Sequence, residues 1–287
     1  MSNVKKSSNI SAGDWTPARR TEAAPSARTL LLTLLGEFVL PDGGLVWTAT
    51  LVGALELLGV EEGAARQALA RSSERGFVAA ERVGRRTRWT LTPRAERLLR
   101  EGAARIYSFG LEAGVWDGLW LLVLASVPEH NRHLRARLRT RMTWEGFGSL
   151  APGAWVTPWA DREAAAWAIF EDLDLTNGPV SWVGRPGAMG SVEERVGHIW
   201  DLDTVAAQYA DFIAASRAES PASRAQAFAA LARLVHDWRH FPAADPGLPA
   251  QLLPAAWPGQ TAARTFHSQH DAWAAEAWQW WREHAER

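Results

Sequence analysis

Residues 60–92 read VEEGAARQALARSSERGFVAAERVGRRTRWTLT. At about 100° per residue, Ala65, Ala68, Leu69 and Ser72 share one face of a helix. Gly63, Arg66, Gln67, Ala70 and Glu74 share the other, with Arg71 at its edge. Gly76 ends such a helix, because glycine tolerates positive φ. Two short strands are then expected, at 77–82 and 87–91, around a Gly-bearing turn, Val83-Gly84-Arg85-Arg86. A helix with a small buried side and a hairpin tipped with arginine make the outline of a winged helix-turn-helix. In that arrangement the helix enters the major groove and the hairpin lies along the neighbouring backbone.

Charge sharpens this reading. Residues 60–110 hold eleven Arg against six Asp or Glu, a local balance of +5 in a chain whose net charge is −1. Arg82, Arg85, Arg86 and Arg88 crowd one hairpin. Like charges so close repel one another and suit an anionic partner, so duplex DNA is the expected one. The competing reading is an edge hairpin guarded by solvated charge.

The 287 residues allow two or three domains. The near-neutral pI argues against indiscriminate coating of nucleic acid. No apolar run approaches the ~20 residues that cross a bilayer, and Lys5 and Lys6 are followed by no apolar core of a secretory signal. A cytoplasmic protein with no membrane partner is expected. The lack of cysteine excludes disulfides and thiolate metal sites. Of seventeen tryptophans, fourteen follow Gly110. Each is more readily a core residue than a wall of a ligand pocket.

Residues 1–24 are poor in apolar side chains and read as a disordered tail. A first helix is expected from a Ser26 cap to about Val39, and a second over 48–58. A fourth opens at Thr92-Pro93, with Pro in the first turn. The middle region, 111–190, is expected to hold a strand in the apolar run 118–127, a helix at 129–142, and a strand at 151–159. A helix at 162–173 and a short strand at 179–183 complete it. Strand–helix–strand followed by helix–strand suggests a ferredoxin-like sheet with helices on one face. The rest, 191–287, reads as helical, interrupted by the proline-rich connector 241–259. The expected class is α+β: a winged helix-turn-helix at 25–110, a ferredoxin-like α/β middle domain and a helical C-terminal domain.

Several stretches resemble the PaaX family of bacterial transcriptional regulators, from about Pro25 to Trp273. They are GRRTRWTLT (84–92), the block from WLLVLASVPEHNRHLRARLRTRM (120–142) to GFGSLAPGAWVTP (146–158), HIWDLDTVAAQYADFI (198–213) and HDWRHFPAADPGLPAQLLPAAWPG (236–259). The Pro-Trp-Gly spacing of the last has no explanation in periodicity. The resemblance implies a dimeric regulator, expected as a repressor, that leaves its operator when an aryl-acyl-coenzyme A thioester or another aromatic molecule binds. It places Arg66, Gln67 and Arg71 at base edges, and Arg85, Arg86 and Arg88 on the wing; Arg82, in the same arginine-rich hairpin, is expected to contact DNA with them. This chain has Ser72-Ser73 where many relatives carry a larger apolar residue, so base choice is expected to differ. The first middle-domain strand ends Ala125-Ser126-Val127-Pro128, without the carboxylate that metal-dependent nucleases of the related fold place there.

Other chemistry has weaker support. His130 and His133 beside Glu129, and His267 with His270, have i, i+3 spacing but no visible third ligand. His270, among tryptophans, reads more readily as a histidine at the edge of the core. No phosphate loop and no nucleophile elbow is present. No cofactor, metal or enzymatic activity is expected. The alternatives are a nucleic-acid-processing enzyme active in the middle domain and a protein-interaction module. The arginine-rich helix at 129–141 is a solvated face, a grip for the phosphates of an acyl-coenzyme A, or a second contact to the DNA backbone. Arg132, Arg135 and Arg139, with Trp159, Trp238, Arg239 and Trp257 as neighbours for an aromatic group, are the effector-site candidates.

Overall fold

The first helix starts where its cap was expected: Ser26 Oγ accepts a hydrogen bond from the Thr29 amide at 3.2 Å. The computed structural model describes residues 25–110, 115–127, 131–188 and 192–285. The expected tail at 1–24, and Glu129 and His130, lie outside them. The N-terminal run is α1 (Ala27–Leu34), a π-helical turn (Leu35–Val39), β1 (Leu45–Trp47), α2 (Thr48–Leu57), α3 (Glu62–Glu74), β2 (Val78–Val83), β3 (Arg86–Leu91) and α4 (Pro93–Ser108). The middle run is β4 (Trp120–Leu124), α5 (Arg132–Trp144), β5 (Gly148–Ala151), β6 (Ala154–Thr157), α6 (Glu163–Asp172) and β7 (Val180–Gly184). The last run is α7 (Val192–Trp200), α8 (Leu202–Ala218), α9 (Arg224–Trp238), α10 (Phe241–Ala244) and α11 (Gly259–Ala285). No helix among the described residues is long and apolar enough to cross a membrane.

The chain forms two units. One comprises Met1–Ser108, Phe212–His240 and Arg264–Arg287, and the other Phe109–Asp211 and Phe241–Ala263. The residues 191–287, read as one helical domain, are thus divided between them.

In the first unit, α3 packs on α1 and α2, and a three-stranded antiparallel sheet of order β1-β3-β2 comes next. Strand β1 was not expected. It is only three residues long, and its pairing with β3 (Leu45↔Thr90, Trp47↔Arg88) spans some forty residues of sequence. The core gathers aromatic rings from helices far apart in sequence. Phe38 lies 4.7 Å from Phe228 and 5.3 Å from Trp281 between centroids, and Trp238 stacks on Phe266 at 4.9 Å. The indoles satisfy their N–H groups there: Trp238 donates to the Ile106 carbonyl at 3.0 Å, and Trp281 to Asp42 at 2.9 Å. Thr50 on α2 donates to the His284 carbonyl at 2.8 Å, occupying one of the orphan acceptors at the end of α11.

The π-helical turn carries Glu37 into this interior, where Tyr107 donates to it and His270 Nε2 lies 3.1 Å from it. Burial and the adjacent carboxylate push the Tyr107 pKa up. For His270, burial opposes the charged form, but the hydrogen bond and charge of Glu37, with help from Asp271, outweigh it, and its pKa is raised. His270 is therefore the core-edge histidine that its place among tryptophans suggested.

In the second unit, four antiparallel strands take the order β5-β6-β4-β7. Leu121 and Val123 of β4 pack with Leu138 and Met142 of α5 and Ile169 and Phe170 of α6. Trp120 points to the opposite face and clusters with Val156, Val196 and Trp200. Helix α7 thus covers part of the second face, whereas the sequence placed helices on one face only. The expected single strand at 151–159 is instead the second arm of a hairpin. Pro152-Gly153 makes the turn, with Gly153 at φ +77°, because Pro cannot donate within a ladder.

Candidate nucleic-acid interface

Helix α3 buries the four residues its periodicity selected, Ala65, Ala68, Leu69 and Ser72, and exposes Arg66, Gln67 and Arg71. Ser72 returns its hydroxyl to the Ala68 carbonyl at 2.8 Å, so a polar residue is accommodated on the buried side. Gly76, at φ +71°, turns the chain out of the helix, and the buried Phe77 donates its amide back to the Ser72 carbonyl at 2.9 Å. At the far end of the hairpin, Thr92 donates its hydroxyl to the Gly76 carbonyl at 2.7 Å and its amide to the Phe77 carbonyl at 3.0 Å. The base of the hairpin is thereby tied to the end of α3, which fixes the angle between them.

Strands β2 and β3 pair from Val78↔Leu91 to Val83↔Arg86, leaving Gly84-Arg85 as a two-residue loop. Gly84 has φ +60°, as the first central residue of a II′ turn requires. Alternation then sorts the arginines. Val46, Val78 and Leu91 lie on the buried face of the sheet. Arg86 and Arg88 belong to the outer face, with Trp47 and Glu81, and Arg82 has the opposite register.

The guanidinium groups differ in their surroundings. Arg66 is 2.6 Å from Glu62, one turn earlier, and Arg88 is 2.6 Å from Glu81 across the strands. Both pairs are substantially exposed, and such pairs contribute only about 0.2–1 kcal/mol and weaken with salt, so a phosphate competes with them readily. Arg86 lies over the Trp47 ring, its Cζ 4.4 Å from the centroid, and Arg88 stands at 5.9 Å. Arg82 Nε makes a long contact, 3.4 Å, to the Gly84 carbonyl. Arg71 and Arg85 are exposed, and neither has an ion pair among the described residues.

The effector-site candidates fall in different settings. Arg132, Arg135 and Arg139 form one exposed stripe on α5, at i, i+3, i+7, while Arg141 on another face pairs with Asp172 at 2.6 Å. Trp159 is half-buried and donates to the Gly247 carbonyl at 2.8 Å, and the rings of Trp257 and Tyr209 meet nearly at right angles, 5.8 Å apart between centroids. These residues belong to the second unit. Trp238 and Arg239 belong to the first and are buried. Trp238 is fully enclosed, which leaves no ring surface for a ligand. Burial, with Arg28 nearby, pushes the Arg239 pKa down to about 10.

Sequence reasoning passed over two buried carboxyl groups. One is Glu37 with its partners. The other is Asp245, in the proline-rich connector, which accepts from the Tyr209 hydroxyl and the Gly247 amide at 2.7 Å each; burial pushes its pKa up. A lone acid inside an apolar stretch is the one signal that both left. No cluster of three or more His, Asp or Glu side chains suited to a metal ion occurs among the described residues.

The fold is shared with a solved structure of the uncharacterized protein Rv0674 from Mycobacterium tuberculosis, at a TM-score of 0.59 and 23% identity, over 88% of this chain and 97% of that one. Family models match in series: PaaX-like protein at 26–95, PaaX protein central Cas2-like domain at 113–196, and PaaX-like protein C-terminal domain at 200–283. The transcriptional repressor PaaX of Escherichia coli (strain K12) is 30% identical over 248 residues, 83% of this chain and 77% of that protein. The chain belongs to the PaaX family.

Proposed function

We propose that this protein is a transcriptional regulator, a repressor, that binds operator DNA as a homodimer through its first unit and releases it when a small aromatic effector binds. The observation that carries the reading is the exposed Arg66–Gln67–Arg71 face of α3, joined at a fixed angle to an arginine-bearing hairpin. In this reading residues 25–110 are a winged helix-turn-helix, with α3 in the major groove and Arg82, Arg85, Arg86 and Arg88 along the backbone. Guanidinium forks suit both tasks: bidentate pairing to guanine edges and to phosphate oxygens. The name of the Escherichia coli relative, a transcriptional repressor, favours repression and a regulator over an enzyme.

Residues 111–190 are read as the ferredoxin-like domain, supported by the order strand–helix–strand–strand–helix–strand and the arrangement β5-β6-β4-β7. Residues 191–287 are assigned to effector binding, dimerisation or both. The α5 stripe of Arg132, Arg135 and Arg139 is the proposed grip for the phosphates of an aryl-acyl-coenzyme A-like ligand, with Trp159 and Trp257 for its apolar end. Trp238 and Arg239, buried in the first unit, are left out of this site. Release follows by population shift: DNA favours one spacing of the two reading heads, and the effector must favour another by a few kcal/mol.

A gel shift with DNA from upstream of the protein's own coding region tests the reading. A discrete complex that outcompetes unrelated duplex, and that dissolves on adding an aryl-acyl-coenzyme A thioester, is expected. Equal binding to every duplex would rule out sequence-specific recognition, and a complex indifferent to the thioesters would rule out that class of effector.

A further inference from the structure

Strand β1 places Trp47 directly opposite Arg88, and Arg86 lies two residues away along β3 on the same face. The ring lies under the Arg86 guanidinium at 4.4 Å, inside the ~6 Å range over which an indole attracts a cation. A stacked guanidinium gives its flat face to the ring. Its N–H donors stay in the plane of the fork, where phosphate oxygens can accept from them. Stacking and phosphate binding therefore use different parts of the same group.

The platform is itself held in place. Trp47 sits at the junction of β1 and α2, as the residue preceding the first turn of that helix. The next residue, Thr48, donates to the Thr87 carbonyl at 3.1 Å and accepts from the Trp89 indole at 2.8 Å, so the junction is fastened to β3 from both sides. Of the two guanidinium groups Arg86 is the nearer to the ring, 4.4 Å against 5.9 Å for Arg88, so the ring has its larger effect on Arg86.

We propose that Trp47 is a positioning residue for the DNA backbone: its ring pre-orients the Arg86 side chain toward a phosphate, with Arg88 at its margin. The inference rests on the DNA-binding reading above. An arginine already confined to one geometry loses less rotamer freedom when it binds.

Fluorescence anisotropy on the full chain tests this, using the upstream duplex and an unrelated duplex over a salt series, with Trp47→Leu, Trp47→Phe, Arg86→Ala and the double variants. Leucine keeps apolar cover but has no π face; phenylalanine keeps one. Trp47→Leu is expected to weaken binding to both duplexes by about threefold, and Trp47→Phe by less than about twofold, as the loss or retention of an exposed cation–π contact implies. In the Arg86→Ala background, Trp47→Leu is expected to add nothing. Wild-type affinity in Trp47→Leu, or an equal loss with and without Arg86, overturns the proposal, since a merely structural role would be additive. Should Trp47→Leu fail to fold, Trp47→Met, which is apolar, flexible and without a π face, takes its place in the cycle with Arg86→Ala. If the wild type binds neither duplex, the DNA-binding reading fails and takes this inference with it, whereas normal wild-type binding with an indifferent Trp47 removes the inference alone.

Discussion

Helix α3 with its hairpin, and helix α5, are both crowded with arginine, yet they are built differently. On α5 the stripe of Arg132, Arg135 and Arg139 belongs to one helix, and its neighbours on other faces are also arginines. On α3 the exposed Arg66 and Arg71 are set against a second element at a fixed angle, because Thr92 and Phe77 fasten the hairpin to the helix end. A lone charged helix offers a line of positive potential. A helix and a hairpin locked together offer one element for a groove and another for the flanking backbone. The difference teaches that charge density alone does not fix a geometry; the hydrogen bonds that tie a second element to the helix do.

Five variants test this contrast. Arg66→Ala and Arg71→Ala carry the largest effect: each is expected to weaken binding to the upstream DNA by about tenfold or more, with little change on unrelated duplex, as loss of a base contact implies. Competition titrations read the difference. Arg85→Ala ranks next. It is expected to weaken both duplexes alike by several-fold and to lower the slope of log K against log salt by about 1, the signature of one lost phosphate contact. Replacing Arg132, Arg135 and Arg139 together with alanine is expected to change DNA affinity by less than about twofold at moderate salt, because screening weakens charges that touch no phosphate. The same variant is expected to lose its response to an acyl-coenzyme A thioester, read as the loss of a ligand-induced rise in melting temperature. The smallest effect belongs to Glu81→Gln. Removing an exposed partner of Arg88 is expected to alter stability by less than about 1 kcal/mol, measured by urea denaturation, while DNA binding tightens slightly.

Much of the geometry of α3 and its hairpin was legible because it is local. A single face of small and apolar residues decided α3, while Gly76 marked its end and the Gly84-Arg85 loop marked the tip of the hairpin. The features that stayed hidden depend on contacts between distant parts of the chain. Strand β1 is too short to show a period, so Trp47 gave no sign of lying under Arg86. Strand β5 lies almost wholly before the expected strand at 151–159, whose Pro152-Gly153 is the turn between β5 and β6. Glu37 and His270 are 233 residues apart, and only the fold brings them together. Among the effector candidates, tryptophan content suggested ring surface, but Trp238 is closed off in the core by rings from other helices.

The contrast between the two arginine-rich regions meets its most direct test in site-specific photo-crosslinking. A benzophenone side chain in place of Gln67 on α3, or in place of Arg135 on α5, is irradiated on the upstream duplex, and the attached nucleotide is mapped. The probe at position 67 is expected to label bases within one discrete site, and the probe at position 135 to label none. Labelling from 135 with silence from 67 would contradict the assignment of α3 as the groove-reading helix.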